Sequence, residues 1–188
     1  MTIDRAWFER DAPIVAPELL GKRLVAATTE GVIVAGRIIE VEAYTRDDPA
    51  SHTFRGQTPR NSVMFGPAGH AYVYISYGIH RCLNVVTGAT GDGQAVLIRA
   101  VEVLDGLETV VERRAGRSHR ELTNGPGKVG EAFAIDLSHN GLDLLDSRNA
   151  VHVADDGTPP PVGPVVGPRI GITEALERPW RFRVPPVR

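Results

Sequence analysis

Residues 37–44 read Arg37-Ile38-Ile39-Glu40-Val41-Glu42-Ala43-Tyr44, and from Ile39 onward small or aliphatic side chains alternate with larger polar or aromatic ones. A period of two is typical of a β-strand. One face of that strand carries Ile39, Val41 and Ala43, and the other carries Glu40, Glu42 and Tyr44. A second apolar run at residues 24–27 is separated from residues 32–44 by Thr28-Thr29-Glu30-Gly31. This spacing predicts an antiparallel hairpin.

The rest of the chain predicts a largely β core with short helices. Further strands are predicted at residues 72–76, 83–86, 95–101 and 169–172, with a turn at residues 88–93. Helices are predicted at residues 4–8, 14–20 and 107–111, and a further one follows Asn124-Gly125-Pro126-Gly127 and runs through Glu131 to Ala134. Residues 45–70 show no period, which indicates a long ordered loop of the kind that often serves function. Because no repeat or linker interrupts the chain, we expect residues 1–188 to form one domain.

Composition excludes several classes of protein. The chain has 188 residues, 42% of them hydrophobic, and a net charge of −2, which argues against nucleic-acid binding by bulk electrostatics and leaves only local contacts. The single cysteine, Cys82, excludes a structural disulfide and a cysteine-rich zinc site. No apolar run approaches the roughly 20 residues of a membrane helix, and no secretory signal is visible. We therefore expect a cytoplasmic protein that does not bind membranes.

The face with Glu40, Glu42 and Tyr44 is the first candidate for chemistry. A carboxylate beside an aromatic ring in a partly dry pocket can be tuned into a general base. An alternating strand taken alone more often has an exposed polar face, so both interpretations stay open at this point. His52 lies in the irregular loop, where a histidine is a better functional candidate than on an apolar helix.

A run of tyrosines is the second candidate. Alternation places Tyr72 and Tyr74 on one side of a strand, whereas Tyr77, at its end, falls on the other. These rings could stack on a planar ligand or serve ordinary sheet packing.

Other candidate sites receive little support. Gly125-Pro126-Gly127-Lys128 is followed by Val129 and so is not a P-loop, although its backbone amides could contact a DNA phosphate. The six histidines show no pair at metal-ligand spacing, so no metal site is expected. The cluster Arg113, Arg114, Arg117 and Arg120 is either a solvated face or a local nucleic-acid contact.

An ordered series of motifs, running from Leu19-Leu20-Gly21-Lys22 to Pro179-Trp180-Arg181-Phe182, resembles the 3-methyladenine DNA glycosylase family of the alkyladenine (methylpurine) type. The motifs between these ends are Glu42-Ala43-Tyr44, Asp48-Pro49-Ala50-Ser51-His52, Thr58-Pro59-Arg60-Asn61, Met64-Phe65-Gly66-Pro67, Tyr72-Val73-Tyr74-Ile75-Ser76-Tyr77-Gly78, Asn84-Val85-Val86, Leu97-Ile98-Arg99-Ala100 and Arg169-Ile170-Gly171-Ile172. The resemblance implies an α+β domain with a curved, mainly antiparallel β-sheet and peripheral helices.

The resemblance also implies base-excision repair chemistry. Such an enzyme flips a damaged purine (3-methyladenine, 7-methylguanine or hypoxanthine type) out of double-stranded DNA and hydrolyses its N-glycosidic bond. The matching positions make Glu42 the base that activates water, Glu40 its structural neighbour, and Arg99 the group that orients the water and a nearby phosphate. Lys22 and Lys128 lie outside the motifs, so we expect a monofunctional hydrolase that uses no Schiff base. We also expect no cofactor or metal. Because a duplex must wrap against one face of the protein and no extended apolar surface is evident, we expect a monomer.

The remaining matches concern the extruded base. By resemblance, the base lies between Tyr44 on one side and His52 and Tyr74 on the other. Tyr77 matches the residue that enters the minor groove and fills the gap left by the nucleotide. Asn84 matches the asparagine that excludes the 2-amino group of guanine by steric clash.

Two other functions stay open. One is a non-catalytic module that binds damaged DNA with the same aromatics. The other is an RNA-binding module on a related sheet, as in the C-terminal domain of methionyl-tRNA formyltransferase. Both would leave Glu42 without a role, and a Glu42→Gln variant separates them from an enzyme.

Overall fold

A computed structural model describes residues 3–28 and 31–186. They form a curled antiparallel sheet, a half-barrel flanked by short helices, which confirms the α+β class. The strands are β1 Arg23–Ala27, β2 Ile33–Tyr44, β3 Ala71–Ser76, β4 His80–Thr87, β5 Gln94–Asp105, β6 Val151–Ala154, β7 Val165–Gly167 and β8 Arg181–Arg183. Their order is β3-β4-β5-β2-β1-β6, and β8 pairs with the second half of β2 and with β7.

The two long strands β2 and β5 form the centre of the sheet. They pair from Ala35 to Tyr44, with register shifts between Ala35 and Gly36 and on both sides of Glu40. Each shift marks a bulge or another irregularity in the pairing, and bulges bend a strand and increase its twist. The shifts therefore accompany the curl of the sheet.

Within the described residues, four helices pack around the sheet: α1 Arg5–Phe8, α2 Ala12–Leu19, α3 Leu107–Arg113 and α4 Pro126–Ala132. Asp4 caps α1 by accepting a 2.9 Å hydrogen bond from the Trp7 amide, and Gly21, with φ of +86°, follows the end of α2. Single 3-10 turns lie at Ser62–Phe65, His119–Glu121 and Leu137–His139. The main core joins α2 and α4 to the buried side chains of β2, β4 and β5.

Helix α4 lies close to β4 because its glycine allows it. A Cβ atom at Gly130 would overlap the Arg81 carbonyl oxygen of β4. The sequence predicted this helix to Ala134, but it ends at Ala132, and Ala134 has φ of +51°. The close approach places the start of α4 beside the concave face of the sheet.

The predicted hairpin is confirmed by β1 and β2, which pair from Arg23 with Arg37 to Ala27 with Ile33. Of its predicted turn, Thr29 and Glu30 lie outside the described residues. Strands β4 and β5 are each longer than the sequence predicted. Between residues 45 and 70 the only regular element among the described residues is the 3-10 turn, in agreement with a long loop.

The predicted strand at residues 169–172 is wrong. The segment forms bends, and the pairing strands are β7 before it and β8 after it. The reason is that the polar groups of this segment bind side chains elsewhere in the fold instead of pairing with a neighbouring strand. The Ile170 amide donates to Glu42 Oε1 at 2.8 Å, and the Arg169 side chain is buried against Asp48. In addition, Gly171 has φ of +77°, which a strand does not adopt.

Candidate active site

A cavity of about 600 Å³ opens on the concave face of the sheet. Its walls come from β2, β5, the 45–70 loop, the β3–β4 hairpin, the start of α4 and residues 170–172. Six of the seven side chains singled out from the sequence line it: Tyr44, His52, Tyr74, Tyr77, Asn84 and Arg99. The seventh, Glu42, lies directly beneath and is fully buried.

The Glu42 carboxylate has three partners. Oε2 accepts a 2.8 Å hydrogen bond from the Tyr44 hydroxyl, Oε1 accepts one of 2.8 Å from the Ile170 amide, and Arg99 Nη1 lies 3.3 Å from Oε1. A buried carboxylate needs such partners because burial without them is costly. The buried position rules out a solvent-exposed face for Glu42.

Arg99 joins the two glutamates of β2. Its Nε donates to Glu40 Oε1 at 3.2 Å, and its Nη1 reaches Glu42. Arg181 of β8 pairs with the same oxygen of Glu40 at 3.1 Å. The alternation of positive and negative groups neutralises the cluster, and Glu40 and Glu42 share one face as predicted.

Tyr44 is held as a hydrogen-bond donor. Burial, followed by the negative charge of Glu42 and the hydrogen bond to it, raises the pKa of the Tyr44 phenol far above its ordinary value. The hydroxyl therefore stays protonated and keeps donating to the carboxylate. Tyr44 lines the cavity, and the Arg169 guanidinium lies over its ring, 4.6 Å from the centroid.

The opposite wall is aromatic. The His52 and Tyr74 ring centroids lie 4.6 Å apart at 79°, and Tyr74 stacks on Tyr72 at 5.6 Å. The Tyr72 hydroxyl and His52 Nδ1 are hydrogen-bonded at 2.9 Å. Desolvation, and secondarily the charge of Arg60, lowers the pKa of His52, so its ring is neutral near pH 7.

The loop that carries His52 is fixed by a buried asparagine. Asn61 donates through Nδ2 to the carbonyl oxygens of His52 at 2.8 Å and Gly56 at 3.0 Å, and its Oδ1 accepts from the Thr58 amide at 2.6 Å. These bonds replace the ladder that an irregular segment lacks. The position of His52 is therefore set by the loop's own hydrogen bonds.

The side chain of Tyr77 is largely exposed to solvent, whereas that of Asn84 is buried. Tyr77 stands at the tip of the β3–β4 hairpin with 86% of its surface exposed and φ of +49°. Asn84 is buried, and its Nδ2 donates to the Tyr72 carbonyl oxygen at 3.0 Å. Tyr77 follows the end of β3 at Ser76 and lines the same cavity as Tyr72 and Tyr74, so its predicted position on the opposite side of the strand stays a prediction.

The arginine cluster divides into two kinds of residue. Arg113 donates to the Ala132 carbonyl at 2.9 Å and Arg114 to the Leu122 carbonyl at 3.1 Å, so both join α3 to the chain around α4. Arg117 and Arg120 are exposed, and their side chains have no hydrogen-bond partner within residues 3–28 and 31–186. Only the second pair is available to an external anion.

Lys128, at the start of α4, lines the cavity.

Sequence reasoning missed two groups of the site, the Arg169 side chain and the Ile170 amide. Tyr72 was a candidate together with Tyr74, but its hydrogen bond to His52 was not predicted. Arg169 and Ile170 lie more than 120 residues from Glu42, and no local pattern relates them to it. In the described part of the chain, no group of three or more His, Cys, Asp or Glu side chains could hold a metal ion. No helix there is long and apolar enough to cross a bilayer.

Comparison with known proteins shows the family to which the chain belongs. The family model of methylpurine-DNA glycosylases matches residues 6–187. A protein from Burkholderia cenocepacia is 49% identical over 97% of this chain and 87% of its own length, and one from Methanoculleus marisnigri is 49% identical over 97% and 94%. A third, from Carboxydothermus hydrogenoformans, is 46% identical over 97% and 94%. All three are provisionally named 3-methyladenine DNA glycosylases. The chain therefore belongs to the methylpurine-DNA glycosylase family.

Proposed function

We propose that the protein is a monofunctional DNA glycosylase that extrudes alkylated or deaminated purines from duplex DNA and hydrolyses the N-glycosidic bond with a water activated by Glu42. The observation that carries this proposal is the fully buried Glu42 carboxylate beneath a cavity with aromatic walls. A module that only binds damaged DNA or RNA has no need for a buried carboxylate, which is costly to maintain.

In the proposed reaction, Glu42 Oε2 accepts a proton from water while the water oxygen bonds to C1′ of the deoxyribose. The bond from C1′ to the purine nitrogen breaks, and its electron pair leaves with the base. A carboxylate oxygen can accept two hydrogen bonds, and Oε2 accepts one from Tyr44, so the water takes the second. The negative charge also stabilises the positive charge that develops on the sugar.

Arg99 orients the water and a nearby phosphate in this proposal. Two of its nitrogens are fixed by Glu40 and Glu42, and Nη2 has no hydrogen-bond partner within the described residues. A guanidinium fixed in this way supplies direction as well as charge.

The aromatic walls hold the extruded base in the proposal. Tyr44 stacks on one face of the purine, and His52 with Tyr74 contacts the other. Because His52 is neutral near pH 7, it does not repel a cationic alkylated purine. Electron-rich tyrosine rings attract that cation. A cationic base needs little acid catalysis to leave, whereas hypoxanthine needs a proton.

Selection and extrusion are assigned to two further residues. The exposed Tyr77 enters the minor groove and replaces the base in the stack, which offsets the cost of unstacking. The buried Asn84 rejects the 2-amino group of guanine by steric clash, since its amide is already fixed to Tyr72.

The test compares Glu42→Gln with Glu40→Gln in single-turnover release of base. Both variants remove one carboxylate from Arg99, but only Glu42 is fully buried beneath the cavity. We expect Glu42→Gln to lose roughly 10²–10⁴-fold in rate and to keep binding the lesion duplex. Glu40→Gln is expected to lose less than about tenfold, in keeping with its indirect role. Full turnover by Glu42→Gln would refute Glu42 as the base.

A further inference from the structure

A buried ion pair lies behind the cavity wall. Arg169 directs two nitrogens at the two carboxylate oxygens of Asp48, one pair at 2.9 Å, and neither side chain has any exposed surface. The guanidinium packs between the rings of Tyr44 at 4.6 Å and Trp180 at 5.4 Å. Arg169 does not line the cavity, whereas Tyr44 does. The Tyr44 ring therefore separates the guanidinium from the cavity.

Arg169 also fixes two backbone segments, the part of β2 that carries Glu42 and Tyr44 and the segment that follows Arg169 itself. Its Nη1 donates to the carbonyl oxygen of Ala43, the residue between Glu42 and Tyr44, at 3.1 Å. The next residue in the chain, Ile170, donates its amide to Glu42 at 2.8 Å. The position of Arg169 thus determines where the ring of Tyr44 and one donor to Glu42 lie.

Asp48 extends the connection to the opposite wall. Its Oδ1 accepts a 3.1 Å hydrogen bond from the Ala50 amide, and its carbonyl accepts one of 2.8 Å from the Ser51 amide. Ser51 precedes His52 in the chain. One buried pair therefore connects the Tyr44 side of the cavity to the loop that carries His52.

We infer that Arg169, paired with Asp48, is a positioning element that sets the distance between the two walls of the base-binding cavity and the orientation of Glu42. This inference rests on the proposed function. Stability alone gives little reason for the pair, because apolar side chains of similar volume often replace a buried ion pair without loss. Holding a ring face, a carbonyl and a carboxylate together requires the planar guanidinium, which has several donors. The Nε of Arg169 has no partner, so full hydrogen bonding is not what the arrangement optimises.

The test uses the double variant Asp48→Leu with Arg169→Met, which removes both charges together. Its matched control is Lys22→Met with Asp155→Leu, a largely buried pair at 2.9 Å that lies outside the cavity. Thermal unfolding gives the folded fraction of each protein. Hydrogen exchange without DNA measures how well the backbone of residues 168–172 is protected. Single-turnover base release at saturating protein measures the rate of the chemical step.

We expect the Asp48 and Arg169 double variant to fold, to exchange faster at residues 168–172, and to release base about 10- to 100-fold more slowly, since small misplacements of reacting groups cost that much. The control variant is expected to match the wild type in exchange and rate. Arg169→Lys keeps the charge but not the planar fork, so it is expected to show the same loss with a better preserved folded fraction. If the double variant does not fold, the exchange and the rate of Arg169→Lys alone test the positioning role.

Folded variants with wild-type exchange and a rate within threefold of wild type would overturn the inference. A rate loss that only follows the loss of folded protein would overturn it as well. If the wild type itself releases no base, the proposed function fails, and the hydrogen exchange of residues 168–172 still decides whether the pair holds this segment.

Discussion

Replacing Tyr72 by phenylalanine removes one hydroxyl group from the wall of the cavity and leaves the ring in place. In the structure that hydroxyl is 2.9 Å from His52 Nδ1, and the Tyr72 ring stacks on Tyr74 at 5.6 Å. The ring is 1% exposed, so phenylalanine fits the same space. The substitution therefore tests the hydrogen bond to His52 separately from the packing.

The expected magnitude follows from the surroundings of His52. A net hydrogen bond between neutral groups contributes about 0.5–1.5 kcal/mol. Because the His52 side chain is exposed toward the cavity, water can reach Nδ1 after the substitution, and the larger cost of an unsatisfied buried group does not apply. With RT of about 0.6 kcal/mol, we expect a roughly 2- to 12-fold loss in single-turnover base release.

The assay measures base release from a duplex with one hypoxanthine, at saturating protein, for the wild type, Tyr72→Phe and His52→Asn. If Tyr72 acts only through His52, adding Tyr72→Phe to His52→Asn costs nothing further. Equal losses from Tyr72→Phe in both backgrounds would refute the proposed connection, and so would a loss above 100-fold, which would give the hydroxyl a direct role.

Further predictions concern pH, extrusion and packing. The pKa of His52 is lowered in the folded protein, so below about pH 6.5 the unfolded chain binds an additional proton and the stability decreases as the pH decreases. The melting temperature should therefore differ less between pH 7.5 and pH 5.5 in His52→Asn than in the wild type, and an equal difference in both proteins would contradict this. Tyr77→Ala should weaken binding to the lesion duplex about 5- to 160-fold, equivalent to about 1–3 kcal/mol of stacking, with the melting temperature unchanged; equal affinity would rule out insertion. Gly130→Ala should lower the melting temperature by about 2–12 °C, because the new Cβ meets the Arg81 carbonyl and overpacking costs about 1–3 kcal/mol. Gly125→Ala, where the nearest atom is 3.7 Å away, is the matched control, and an equal effect of both would contradict the packing argument.

The central strands were predictable because their side chains alternate. The period of two in residues 39–44 is local, and β2 with its partner β1 follows from it. Strands β7 and β8 were not predicted, since each has three residues and pairs with distant ones. The Arg169 segment resembles a strand in its sequence, yet its amide and its side chain bind Glu42 and Asp48 instead of a neighbouring strand.

The site was predictable where one element carries several of its residues. Glu42 and Tyr44 lie two residues apart on β2, and alternation places both on the concave face. The contact of Arg169 with Tyr44 depends on how the chain after residue 160 folds back onto β2, which no local pattern specifies. The irregular loop made His52 a candidate, the resemblance supplied Asn84 and Arg99, and the structure adds that all three line one cavity.

The most direct test of the central claim is single-turnover base release by the purified protein, without added metal, from a duplex with one hypoxanthine and from methylated DNA. The account predicts release of free base, with no strand cleavage until the abasic product is treated with alkali, and loss of that release in Glu42→Gln. Binding of the lesion duplex without release of base from either substrate would contradict it and would favour a module that only recognises damaged DNA.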